Sequence, residues 1–178
     1  IVGKAFFVWM NFGSLLAFTP LLWWVKEWPP LAECWKPAVT AGFIYSGTLT
    51  TFAAIWITDM LIHELAMKAD YVASGSLWRS RASMPQFIKW LMVGQFMAAA
   101  GLTVIWINRC APNTTTFRSA TRFGFFIGLI ATSYAPIFYA VMPIPAMICL
   151  KWAVFGILQC IAVTLVVFVT TRKLAQAG

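Results

Sequence analysis

The chain has 178 residues, of which 61% are hydrophobic and 10% are charged, and its formal net charge is +8. Soluble domains are typically about 45–50% apolar and about 25% charged, so this composition excludes an ordinary globular fold. The Lys and Arg residues are scattered along the chain and form no basic stripe, which excludes nucleic acid as a partner. The composition therefore predicts a single transmembrane domain over residues 1–178, surrounded by membrane lipids.

Long apolar stretches fill most of the chain. Because a helix rises about 1.5 Å per residue, about 20 apolar residues cross the roughly 30 Å of hydrocarbon in a bilayer. Strands of a membrane barrel would alternate apolar and polar residues, and a stretch such as Ile161–Val169 does not alternate. We therefore predict an all-α fold, a polytopic membrane helix bundle with five transmembrane helices. These helices are expected at Ala5–Val25, Ala38–Ile62, Phe87–Ile107, Phe123–Met142 and Ala146–Thr170.

The first helix and the linker that follows it are predicted to be additions to a four-helix bundle. The linker, residues 26–37, is rich in proline and tryptophan, and proline cannot continue a helix. The domain therefore divides into an N-terminal helix with an aromatic linker, residues 1–37, and a four-helix bundle, residues 38–178. Lys and Arg are slightly more numerous on the side of the membrane that holds the C-terminus, which favours a cytoplasmic C-terminus in a bacterial inner membrane.

The densest group of ionisable residues near membrane depth is Asp59, His63 and Glu64. Asp59 and His63 are four residues apart, so on a helix they share a face and are expected to hydrogen-bond to each other. We interpret the pair as a structural clasp between the second helix and the loop after it. Three alternatives remain: a proton relay, a cofactor ligand in His63, and a soft copper site formed by Met60, His63 and Met67. The sequence contains one His, so no metal or cofactor is predicted to be required.

Two glutamines, Gln95 and Gln159, lie deep within predicted helices, where an unpaired amide is costly. They are expected to make structural hydrogen bonds between helices. Two Lys-Trp pairs near the starts of helices are expected to be interfacial anchors: Lys89 with Trp90, and Lys151 with Trp152.

Small residues and prolines predict how the later helices pack. Gly124 and Gly128 have the small-xxx-small spacing that lets two helix backbones approach closely. Pro136 is expected to kink the same helix. The turn at residues 142–145 is so short that the helices on either side of it should form an antiparallel hairpin. Residues 70–85, the largest polar segment, are expected to form a surface loop or a short interfacial helix.

Short motifs follow one another along most of the bundle: Asp59 and His63 in a D-x-x-x-H, Lys68-Ala-Asp70-Tyr71, Leu77-Trp78-Arg79, Gly94-Gln95, Arg122-Phe-Gly124, Tyr139-Ala-Val-Met-Pro143-Ile-Pro145, and Lys151-Trp152 with Gly156 and Gln159. In these motifs the chain, from about residue 44 to residue 172, resembles an uncharacterised family of small bacterial four-helix integral membrane proteins. The resemblance implies a four-helix membrane fold and no particular activity. Family members commonly have Gly where this chain has Glu64, and they lack a leading helix like Ala5–Val25.

The sequence contains no nucleophile–base pair, no Gly-rich phosphate loop and no paired metal ligands, so we expect no enzymatic activity. The leading prediction is a non-catalytic accessory subunit of a larger bacterial membrane complex of the respiratory, photosynthetic or methane/ammonia-oxidising type. Its expected partners are other integral membrane subunits and bound lipids. The alternative is a small oligomeric transporter or channel that uses Asp59, His63 and Gln95. A third reading is an enzyme component in which His63 ligates a cofactor or metal.

Overall fold

A computed structural model describes residues 37–80, 82–109 and 115–177. The first predicted span, Ala5–Val25, and the linker before residue 37 lie outside the described residues. Within the described ranges all regular structure is helical and there is no strand. The chain divides after Pro37 into two units, and every contact reported below lies within the second unit, Ala38–Gly178.

Six α-helices make up the described part of the chain. A π-helical turn, Leu61–Ala66, continues the first helix, and two 3₁₀ turns, Gly75–Leu77 and Met84–Gln86, lie in the loop after the second. The helices are α1 (Pro37–Met60), α2 (Lys68–Ala73), α3 (Ile88–Arg109), α4 (Phe117–Thr132), α5 (Tyr134–Val141) and α6 (Ala146–Ala177).

Four segments are long and apolar enough to cross a membrane. Their length and composition are those of a multi-pass membrane protein, and they correspond to the last four predicted spans. The segments are Gly42–Ala66, Ile88–Asn108, Phe117–Val141 and Ala146–Leu174. The fifth predicted span is the one outside the described residues.

The third of these segments is interrupted at Ser133, between α4 and α5. Pro136 has no N–H to donate to the carbonyl of Thr132, one turn earlier, so the helical hydrogen-bond ladder is broken there. The hydroxyl of Ser133 donates to the carbonyl of Ile130 at 2.8 Å, and that of Thr132 donates to Gly128 at 2.7 Å. The kink expected from Pro136 thus takes the form of a break three residues before the proline.

Helix α4 packs against α6 with almost no space between the two backbones. A Cβ atom added to Gly124 would lie 2.8 Å from the Cα of Ile161, and one added to Gly128 would lie 2.8 Å from the Cα of Ile157. No side chain fits at either position without moving backbone atoms. The two glycines therefore lie on the close-packed face that their spacing predicted.

Polar side chains also join α3 to its neighbours in the interior. Thr51 of α1 and Thr103 of α3 are fully buried, and their hydroxyls lie 3.1 Å apart. The indole nitrogen of Trp106 donates to the hydroxyl of Thr171 on α6 at 3.2 Å. Helix α3 is thus fixed to both α1 and α6 by hydrogen bonds that lipid cannot replace.

Candidate functional site

Two groups of polar side chains lie one above the other at the end of the bundle where α1 finishes and α6 begins. The inner group, which we call the carboxylate centre, consists of Thr58, Asp59, Gln95 and Gln159. The outer group, which we call the aromatic layer, consists of His63, Tyr71, Trp78 and Trp152. Both groups form because the α1–α3 loop and the short turn before α6 return to the same end of the bundle.

The carboxylate centre joins three membrane-spanning segments through the two oxygens of Asp59. The amide nitrogen of Gln159, on α6, donates to Asp59 Oδ1 at 2.6 Å and lies 2.9 Å from the hydroxyl of Thr58. The amide nitrogen of Gln95, on α3, donates to Asp59 Oδ2. The expected interhelical bonds of the two glutamines are therefore present, and both converge on one carboxylate of α1.

The charge of Asp59 has no cationic partner among the described residues. The ion pair present in the described ranges joins Lys151 to Asp70 instead. Gln95 is 91% buried, since its relative exposure is 9%, and its carbonyl oxygen Oε1 is enclosed with no hydrogen-bond partner in the described part of the chain. Asp59 is thus held by dipoles alone, next to an amide oxygen with unused lone pairs.

The aromatic layer is centred on the hydroxyl of Tyr71. Its oxygen lies 2.6 Å from Nδ1 of His63 and accepts a hydrogen bond from the indole nitrogen of Trp152 at 2.8 Å. The rings of His63 and Tyr71 are stacked, with centroids 5.7 Å apart. Burial raises the pKa of Tyr71 to about 12. The phenol therefore stays protonated at all physiological pH values and links α2 to both α1 and α6.

Asp59 and His63 do not bond to each other, contrary to the expectation from their four-residue spacing. Asp59 binds the two glutamines and His63 binds Tyr71. The π-helical turn begins between them, at Leu61, and the backbone N–H of Met67 donates to the carbonyl of Ile62 five residues earlier at 2.9 Å. Because a π turn is wider than an α turn, side chains four residues apart no longer lie directly above one another.

The two predicted Lys-Trp anchors have different surroundings. The ammonium of Lys151 lies 2.7 Å from a carboxylate oxygen of Asp70, so Lys151 fastens α6 to α2. The ammonium of Lys89 lies 5.8 Å from the centroid of Trp90, whose side chain is 65% exposed at the start of α3. Lys89 and Trp90 thus lie on the surface, whereas Lys151 is part of the site.

An open cavity of about 720 Å³ adjoins the aromatic layer. Its walls combine aromatic rings with the cationic side chains of Lys68 and Arg79, and the guanidinium of Arg79 lies 3.9 Å from the centroid of Phe87. The cavity gives access to His63 and Tyr71 from the end of the bundle.

The proposed soft-metal ligands have different environments. Met60 is 40% exposed, whereas Met67 is fully buried beneath Tyr71, whose hydroxyl lies 3.6 Å from its sulfur. His63 already uses Nδ1 for Tyr71. In the ranges that the structure describes, no three His, Cys, Asp or Glu side chains are grouped closely enough to hold a metal ion.

No family model, curated protein or solved structure matches the chain. The resemblance to a family of small membrane proteins therefore stays a prediction. Residues of its motifs do meet in space. They supply three members of the carboxylate centre (Asp59, Gln95 and Gln159), all four of the aromatic layer (His63, Tyr71, Trp78 and Trp152), and the ion pair between Asp70 and Lys151. Neither the type nor the spacing of Asp70, Tyr71 and Trp78 indicates a role for them, and their place in those motifs was the only sequence signal that pointed to them.

Proposed function

We propose that the chain is a non-catalytic accessory subunit of a larger bacterial membrane protein complex, of the respiratory, photosynthetic or methane/ammonia-oxidising type. It would lie in the inner membrane with its C-terminus in the cytoplasm, in contact with lipids and other integral membrane subunits. No cofactor is required in this role.

The surface of α1 is the observation that carries the proposal. Within the α1 span, 6% of the hydrophobic window is buried inside the described protein, against 22–33% in the other three spans. Large apolar side chains along it are open to the surroundings, including Tyr45 at 68%, Ile57 at 59% and Leu65 at 72%. A helix with so little internal packing has most of its surface left for a neighbouring helix or for lipid.

The polar groups of the site support the same reading. The carboxylate centre and the aromatic layer bind α1, α2, α3 and α6 to one another. Such bonds hold α1 at a fixed angle despite its small packed area, which a subunit needs if it presents α1 to a partner.

Native mass spectrometry after gentle detergent extraction tests the proposal. We expect the chain to leave the membrane in a complex of defined stoichiometry with other membrane proteins. Ile57→Trp, on the surface of α1, should release it from that complex. Ile130→Trp, on α4 and of similar exposure at 54%, is the matched control and should not. A chain that purifies alone, with both variants behaving as the wild type, would contradict the proposal.

The second candidate is a small oligomeric transporter or channel that uses Asp59, His63 and Gln95. The bond from the Gln95 amide to Asp59 favours it, since intramembrane carboxylates commonly mark ion pathways. A homo-oligomer in native mass spectrometry, with an ion flux in proteoliposomes that Asp59→Asn abolishes, would place this candidate first.

A further inference from the structure

We propose that the carboxylate centre is a binding site for one small monovalent cation, a proton or Na⁺, held on the carboxylate of Asp59. The site would operate whether the chain is a subunit or a transporter, so the inference does not depend on the proposed function.

The first argument is the charge of Asp59. The residue lies within the span Gly42–Ala66, and the donors that reach it are the uncharged amides of Gln95 and Gln159. An ionised carboxylate within a membrane span is costly unless a positive charge accompanies it. In the described residues that positive charge is missing at Asp59, whereas Asp70 has Lys151. A bound cation would supply the positive charge that the uncharged amides of Gln95 and Gln159 cannot.

The second argument is the oxygen atoms beside the carboxylate. The carbonyl oxygen of Gln95 is enclosed and without a partner in the described ranges, and it belongs to the same amide that donates to Asp59. The hydroxyl of Thr58 donates to the carbonyl of Ala54 at 2.7 Å and accepts from the amide of Gln159 at 2.9 Å, which leaves one of its two lone pairs available. Carboxylate, amide and hydroxyl oxygens are the ligands that hard cations such as Na⁺ prefer.

A proton fits the same atoms. A half-turn of the Gln95 amide exchanges its nitrogen and oxygen, so that Oε1 faces Asp59. A protonated Asp59 then donates its O–H to that oxygen, while the amide nitrogen takes the enclosed position that the oxygen leaves. The centre therefore has one hydrogen-bond arrangement for the carboxylate and another for the carboxylic acid.

The titratable groups near Asp59 come from four elements. Tyr71 on α2 and Tyr134 on α5 interact with Asp59 electrostatically. His63 follows Asp59 by four residues in the π-helical turn, and Cys160 on α6 is next to Gln159; α3 contributes the uncharged Gln95. Two of them, His63 and Tyr71, line the open cavity at the end of the bundle. Along the chain, His63 is about one helical turn from Asp59.

Thermal stability of the purified full chain provides the first test. A ligand that binds the folded state raises its melting temperature by mass action. We compare NaCl with choline chloride at equal ionic strength, over a series of pH values. A sodium site predicts that Na⁺ raises the melting temperature by several degrees, and a proton site predicts the same rise on acidification without a sodium effect. Asp59→Asn should abolish either response, whereas Asp70→Asn, which leaves the carboxylate centre intact, should retain it.

Labelling with dicyclohexylcarbodiimide provides a second test on the unaltered protein, in case Asp59→Asn does not fold. The O–H of a protonated carboxyl adds across one C=N bond of the reagent, and the product rearranges to a stable N-acylurea that peptide mass spectrometry locates. A proton site predicts labelling of Asp59 that increases on acidification and ignores Na⁺. A sodium site predicts labelling that Na⁺ suppresses and choline does not. Absence of label at Asp59, together with no response to Na⁺ or pH that depends on Asp59, would overturn the proposal.

Discussion

The side-chain amide of Gln159 donates to Asp59 across the interface between α6 and α1, with 2.6 Å between nitrogen and oxygen. Replacement of Gln159 by Leu removes this bond and the one to Thr58, and it leaves the partly buried carboxylate of Asp59 with one donor fewer. We expect a loss of about 1–3 kcal/mol in the free energy of unfolding. Denaturation in detergent measures it, with Leu158→Ala, at a neighbouring position 55% exposed, as the control. Equal losses in the two variants would show that the bond contributes nothing to stability.

The close approach of α4 and α6 leads to a second prediction. A Cβ at Gly124 would lie 2.8 Å from Cα of Ile161 and 2.9 Å from the carbonyl oxygen of Cys160, both of which are backbone atoms that cannot rotate away. Gly124→Leu should therefore destabilise the protein by about 1–3 kcal/mol or more, as overpacked sites do. Phe125→Leu, at the neighbouring position that is 42% exposed, should cost much less. The melting temperatures of the two variants in the same detergent measure this difference. Equal melting temperatures would mean that α4 and α6 move apart to admit the leucine at little cost.

Tyr71 makes stability depend on pH in the alkaline range. Burial raises its pKa from 10.0 to about 12, so below pH 10 the phenol is protonated in both the folded and the unfolded chain. Between those values the unfolded chain binds fewer protons than the folded one, so the free energy of unfolding falls as pH rises. Tyr71→Phe should show a smaller decrease in melting temperature between about pH 9 and about pH 11 than the wild type. Tyr45→Phe, at a tyrosine that is 68% exposed, should behave like the wild type. If the melting temperature of Tyr71→Phe fell as much as that of the wild type, Tyr71 would not be the source of the pH dependence.

Asp59 and His63 have separate partners, which predicts additive effects. Asp59 binds the glutamines of α3 and α6, and His63 binds Tyr71 of α2. The losses from Asp59→Asn and His63→Gln should add to within about 0.5 kcal/mol in the double variant, as they do for sites without a shared partner. The four variants of this cycle can be compared by chemical denaturation. A double variant no worse than either single one would mean that the two residues act as one clasp, as their spacing alone had suggested.

The helices were predictable because the length of an apolar run is a local property of the sequence. The prediction Phe87–Ile107 corresponds to α3 at Ile88–Arg109, and Ala146–Thr170 corresponds to the first three-quarters of α6. The break at Ser133 also followed from a local rule, the missing N–H of Pro136. The first span, Ala5–Val25, lies outside the described residues and stays a prediction.

The partners within the site were less predictable, because they depend on how the helices rotate and on the loop between them. Gln95 and Gln159 were expected to form hydrogen bonds between helices, but nothing in the sequence indicated that both would donate to Asp59. The π-helical turn at Leu61–Ala66 altered the angle between Asp59 and His63, and no composition rule predicted it. Tyr71 lies in a polar segment whose composition predicts a surface loop or a short interfacial helix. In the structure it is partly buried, accepts a hydrogen bond from Trp152 and forms the centre of the aromatic layer.

The order of these residues along the chain has a consequence for how the carboxylate centre forms. Gln95 follows Asp59 by 36 residues and Gln159 follows it by 100. At a synthesis rate of about 5–20 residues per second, α1 waits roughly 5–20 s before its second amide donor exists. During that interval the bond from α6 to Asp59 cannot form. The carboxylate centre therefore closes only after the last described helix has been made.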